Sequence, residues 1–165
     1  MNMKTLLPVA MLLATGLLTS CGNGADKTAS GTVYNINVTG GNTANWTQGD
    51  GKASLKHVAT EVPKVHSLHF TNKGNKLMVA LMFPGDAPPA AGKYVFGNAA
   101  GAGVVNGLYV DNRSKIESYT AAEGTIELTV KGGVYSGKFE FKGQGGPIGG
   151  GQKEIKVSGT FEGVK

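Results

Sequence analysis

Cysteine is almost missing from this 165-residue chain; Cys21 is the only one. No intramolecular disulfide can form, so a stable unit must rest on packing and backbone pairing, where many exported domains use disulfides. Long apolar runs are missing beyond Leu18. The longest later run, Leu77 to Phe83, has strand length and falls well short of the ~20 residues that span a bilayer as a helix. No segment after Cys21 repeats apolar residues at helical spacing. Catalytic signatures are lacking too. Ser136, in Tyr-Ser-Gly-Lys, has no Gly-x-Ser-x-Gly frame. The 11 acidic residues are spread evenly, which singles out no pair for acid–base work. The run from Gly132 to Phe139 has phosphate-loop spacing, but Phe139 stands where Ser or Thr must reach magnesium. The run from Gly101 to Gly107 is one residue too long for a dinucleotide fingerprint, and no helix follows it. These absences predict a non-enzymatic protein with no cofactor.

What the chain does have begins at its start. Lys4 supplies a positive charge, the stretch from Leu6 to Leu18 is mostly apolar, and Leu18-Thr19-Ser20 ends in small residues. That is the layout of an export signal. With cysteine directly behind the cut, Leu18-Thr19-Ser20-Cys21 resembles a bacterial lipoprotein signal. The resemblance implies cleavage before Cys21 and a lipid on its sulfur, which would remove the thiol from metal ligation and catalysis. Taking residues 1–20 from the 165 leaves 145, one domain by length. Residues 21–31 then form the lipidated cysteine and a flexible Gly- and Ser-bearing tether, and 32–165 a single domain.

That domain reads as all-β. Tyr34, Ile36 and Val38 alternate with polar residues. So do Ile126, Leu128 and Val130, then Tyr135, Phe139 and Phe141, then Ile155, Val157 and Phe161. Period two puts each apolar set on one face of a sheet, with charge on the other. Pro63 and the Asn72-Lys-Gly-Asn75 run mark turns. The run from Gly97 to Gly107 and the Gly-rich run from Gly143 to Gly151 read as long connections. Eight to ten short strands between Gly-rich turns predict an antiparallel β-sandwich or, alternatively, a closed β-barrel. The sandwich is favoured because the stretch from Lys76 to Phe83 is apolar on both faces, as a doubly buried strand would be.

The closing segment, Gly124-Thr-Ile-Glu-Leu-Thr-Val130 through Ile155-Lys-Val-Ser-Gly-Thr-Phe-Glu-Gly163, resembles the last strands of small β-sandwich lipoproteins of unknown function from Bacteroidota. It covers roughly a quarter of the chain. It implies a fold, and neither catalytic residues nor a substrate.

Three candidate contacts follow from residue type. Trp46, set among Asn45 and Gln48, has the makings of an exposed ring that stacks on a sugar while the amides bond its hydroxyls. The competing reading is an indole that caps one end of the core. His57 and His66 fall on the apolar phase of two strands joined by a short turn and sit diagonally across a hairpin, within reach of a shared metal. Two histidines are fewer than a usual zinc site takes, and two hydrogen-bonded core histidines are the plainer reading. Lys52, Lys56, Lys64, Lys73 and Lys76 face only Glu61 in their segment, which suggests a basic surface for anionic headgroups or acidic glycans; a solvated sheet face is the alternative.

The sequence therefore predicts a binding or scaffold module held in the outer membrane by the lipid on Cys21. Its alternatives are a glycan or small-ligand module using Trp46 and a metal-dependent site at His57 and His66. Gly22, in place of an Asp that would retain the protein at the inner membrane, favours the outer membrane, and the lack of an acidic cluster after Cys21 favours the periplasmic face. The expected partners are the membrane and an envelope protein or glycan. Export and the lack of an aromatic–basic module exclude nucleic acid.

Overall fold

The computed structural model describes residues 31–58, 64–97 and 101–165, the side chains of His57 and Val58 excepted. Cys21, the signal segment and most of the tether lie outside the described residues, as do Glu61 and Pro63.

The fold is all-β. Ten strands follow in order: β1 (Val33–Gly40), β2 (Ala44–Thr47), β3 (Gly51–Val58), β4 (Val65–Asn72), β5 (Leu77–Pro84), β6 (Gly92–Phe96), β7 (Val104–Asp111), β8 (Glu117–Lys131), β9 (Val134–Pro147) and β10 (Lys153–Val164). They form one sheet in the order β2-β1-β10-β9-β8-β6-β7-β5-β4-β3, with β8 also pairing β7. Every pairing is antiparallel except β6 with β7. The sheet curls until its two sides almost meet. The amide of Leu55 on β3 donates to the carbonyl of Lys165 at 3.0 Å, and the Tyr34 hydroxyl on β1 donates to the carbonyl of Thr71 on β4 at 2.9 Å. A barrel not quite closed, rather than two stacked sheets, is thus the better description.

The alternation seen in the sequence decides what lies inside. Ile36, Val38, Ile126, Phe139, Phe141, Ile155, Val157 and Phe161 are all buried. The interior is filled by rings: Phe70 packs on Phe139 and Phe161 at 6.0 and 5.1 Å between centroids, and Phe96 on Phe141 at 5.0 Å. Two devices bend the long strands around this filling. The pairing of β8 with β9 slips between Ala121 and Glu123, and that of β10 with β9 between Phe161 and Val164; such bulges raise local twist. Gly159 points inward on β10, where a Cβ would come within 2.7 Å of both Ile36 Cδ1 and Phe139 Cε1.

The expectation that β5 is buried on both faces holds at Ala80 but only partly at Met78 and Met82, which are half-buried. The outer face of β8–β10 is charged. Lys138 pairs with Glu127 at 2.9 Å, Lys142 with Glu123 at 2.7 Å and Lys156 with Glu140 at 2.9 Å. Apolar groups face in and ion pairs face out, the reverse of the lipid-facing apolar band of a membrane barrel. No helix among the described residues is long and apolar enough to cross a membrane. Among the described residues, all ten strands share one core.

Candidate functional site

The predicted contacts come out differently from one another. Trp46 is not exposed. It lies opposite Ile36 in the β1–β2 pairing, points inward with 2 % of its surface exposed, and stacks on Tyr109 at 6.3 Å between centroids. Its indole N–H has no hydrogen-bond partner among the described residues. The expected sugar platform is therefore corrected to a core residue, and the reason is β2 itself: Ala44 and Trp46 take the inner phase and Asn45 the outer. Asn45 is exposed on the opposite face from the indole. Gln48, in the short 3-10 turn after β2, accepts from the amide of Tyr34 at 3.3 Å. The three residues do not meet around a ring.

His57 and His66 are direct Cα partners in the β3–β4 pairing, not diagonal neighbours. The His66 ring is buried, and its Nε2 lies 3.4 Å from the carbonyl oxygen of Asp86. The His57 side chain lies outside the described residues. Among the described residues, no three His, Cys, Asp or Glu side chains gather as a metal would need. His69 falls out of phase as expected and is only half-buried.

The polar centre of the molecule lies away from all three predicted contacts. At the end of the barrel where β7 turns into β8, Asp111 points inward with 5 % exposure. Arg113 holds it from the turn: Nε lies 3.1 and 3.0 Å from the two carboxylate oxygens, and Nη2 2.7 Å from Oδ2. The same guanidinium reaches Asn42 Oδ1 and the Thr43 carbonyl, both at 3.0 Å. Asn42 Nδ2 donates to Asp111 Oδ2 at 2.9 Å and to Glu117 Oε2 at 3.0 Å. Glu117 also accepts from the Tyr119 hydroxyl and, at 3.1 Å, from Lys153. Burial would raise the Asp111 pKa, but hydrogen bonds from Arg113 and Asn42 outweigh it and the net shift is downward. Glu117 is lowered first by Tyr119, against burial, with Lys153 and Asn42 adding to the effect. The Tyr119 phenol is pushed up to about 12 by burial and by Glu117.

Both carboxylates are thus held ionised and surrounded by donors. A general acid needs the opposite, a raised pKa and a free face. The cluster works as a clamp. Its signal in the sequence is phase: Asp111 continues the inward series Val105, Gly107, Tyr109 on β7, and an acid in that position requires partners.

The clamp orders four loops into one end of the barrel. Arg113 ties the β7–β8 turn to the β1–β2 loop. The Asn112 amide donates to the Lys76 carbonyl at 2.7 Å, and that of Ile148 to the Ile116 carbonyl at 3.4 Å. On this held platform Ile148 is 82 % and Ile116 49 % exposed. Lys73 and Lys76 before β5 and Lys115 before β8 are exposed and form no ion pair with any described residue. A second feature is an open trough of about 450 Å³ across β1, β10, β9 and β8. Two polar rungs line it, Asn37-Ser158-Glu140-Thr125 and Asn35-Thr160-Lys138-Glu127.

No family model, no curated protein and no solved structure matches this chain.

Proposed function

We propose that this chain is a lipid-anchored, non-enzymatic envelope module that binds its partner with the clamped loop end of the barrel. The observation that carries the reading is the opposition of two ends. The tether enters beside Val33, which pairs with Glu162 near the close of β10, and Thr32 donates to the Gly163 carbonyl at 2.9 Å. The clamped loops lie at the other end of β1, where Gly40 pairs with Ile155. At strand rise the 8-residue β1 separates them by about 25 Å. An anchor on Cys21 would thus hold one end near the membrane and present Ile116 and Ile148 away from it. Exposed aliphatic side chains on rigidly held loops suit recognition of another surface. The signal and Gly22 support the outer membrane, and the lack of an acidic cluster after Cys21 supports its periplasmic face.

Two measurements test this. Labelled fatty acid should enter the wild-type chain and not Cys21→Ser, which should leave the membrane fraction while staying folded. A photo-crosslinker in place of Ile148 should trap a discrete partner in cells, whereas one at Gly132, in the β8–β9 turn at the tether end, should not. Equal labelling of Cys21→Ser would sink the anchor, and equal crosslinking at both ends would sink the binding end.

A further inference from the structure

The outward lysines of this barrel differ in their partners. On β8–β10, Lys138, Lys142, Lys153 and Lys156 each meet a glutamate. On β3, Lys52 and Lys56 meet no carboxylate among the described residues. They flank an open basin of about 420 Å³ over β3, β4 and β5, which no acidic side chain lines. Period two sets Lys52, Ser54 and Lys56 on the same outer face of β3. Across the pairing, Lys52 stands opposite Thr71 and Ser54 opposite His69. Two ammonium groups thus bracket two hydroxyls and an imidazole, with Met78, opposite Thr71 on β5, as the apolar wall. His69 has its pKa lowered by burial and then by Lys56, so its ring is neutral at neutral pH and offers one N–H. No charged residue of β5 faces it within the basin. Lys73, Lys76, Lys115 and Lys131 are also unpaired among the described residues, but none of them lines this basin; Lys52 and Lys56 do, over hydrogen-bond donors.

We infer that this basin binds a phosphate- or sulfate-type oxyanion, Lys52 and Lys56 supplying charge and Ser54 and His69 supplying directed hydrogen bonds, while the Thr71 hydroxyl donates to the Lys52 carbonyl at 3.4 Å. Lysine serves such groups as a point charge and the directed donors set orientation. Phosphate chemistry has two sources in an envelope, a free anion and a lipid headgroup, and the same basin would serve either.

The test uses the full 165-residue chain carrying Cys21→Ser and follows the His69 imidazole by NMR. Inorganic phosphate is titrated in one arm, and phosphatidylcholine vesicles with and without phosphatidylglycerol are added in the other. The expected result is a saturating His69 shift with a raised pKa in at least one arm. Saturation by phosphate assigns a free-anion site; a response only to phosphatidylglycerol vesicles assigns a headgroup site. Lys52→Gln/Lys56→Gln should weaken the response at least ~10-fold, with thermal unfolding unchanged because both side chains are exposed. Lys138→Gln/Lys142→Gln is the control and should leave it intact. No saturation in either arm, or equal weakening by both double variants, overturns the site.

Discussion

Arg113 holds Asp111 with two nitrogens, the closer at 2.7 Å, across the mouth of the barrel. Removing the guanidinium leaves a buried carboxylate without its main donor. Arg113→Gln should lower stability by about 2–3 kcal/mol, less than for a fully buried pair because the Arg113 side chain is nearly half exposed. The effect depends on pH with a definite sign. The folded pKa of Asp111 lies below the ordinary carboxylate value of ~3.9, so its stabilisation is complete above that value and is lost as pH falls through the depressed one. Urea unfolding should show the full gap between wild type and variant at neutral pH and a closing gap in acid. A gap that persists in strong acid would mean that Arg113 contributes packing alone.

Tyr34 guards the seam of the barrel. Its phenol is pushed up to about 12, by burial first and Asp50 second, so it remains a donor to Thr71 throughout the useful pH range. Tyr34→Phe removes this bond and should cost about 1 kcal/mol. Hydrogen exchange locates the effect: the Leu55 amide, which donates to Lys165 across the same seam, should exchange faster, while amides of β8 and β9 keep their rates. Uniform acceleration would show that the seam has no separate opening.

Gly159→Ala puts a methyl against Phe139 and Ile36. Overpacking of this kind costs about 1–3 kcal/mol. Phe139→Leu in the same chain should recover part of the loss, although alone it destabilises. Thermal unfolding of the two single variants and the double measures the coupling; simple additivity would place the strain in the backbone instead.

Trp46 is the chain's single tryptophan, so its fluorescence is unambiguous. Buried against Tyr109, it should emit to the blue of an exposed indole and resist quenching by iodide. Emission like that of free tryptophan would restore the exposed ring that the sequence suggested.

How far the sequence could be read depends on the length of each strand. β8 and β10 alternate over many residues, so Ile126, Leu128, Ile155, Val157 and Phe161 declare their face. β2 is four residues long, and its two inward positions, Ala44 and Trp46, are hidden by polar neighbours. The Gly-rich run from Gly143 reads as a loop because glycine is rare in strands. Here β9 continues through it to Pro147, and the glycine serves close approach. A Cβ on Gly145 would collide with the Ser118 carbonyl and lie 2.7 Å from Tyr119 Cα. Asp111 was hidden for another reason. The partners that make this inward acid tolerable are Asn42 and Arg113, and only the fold brings Asn42 to it.

The ring of Phe139 occupies room that the missing side chain of Gly159 leaves free. Position 159 therefore cannot gain atoms until position 139 gives some up. Sequences that drift from this one while keeping its barrel should change the two positions in step, the large residue shrinking first, and that order of change would be written in any set of descendants.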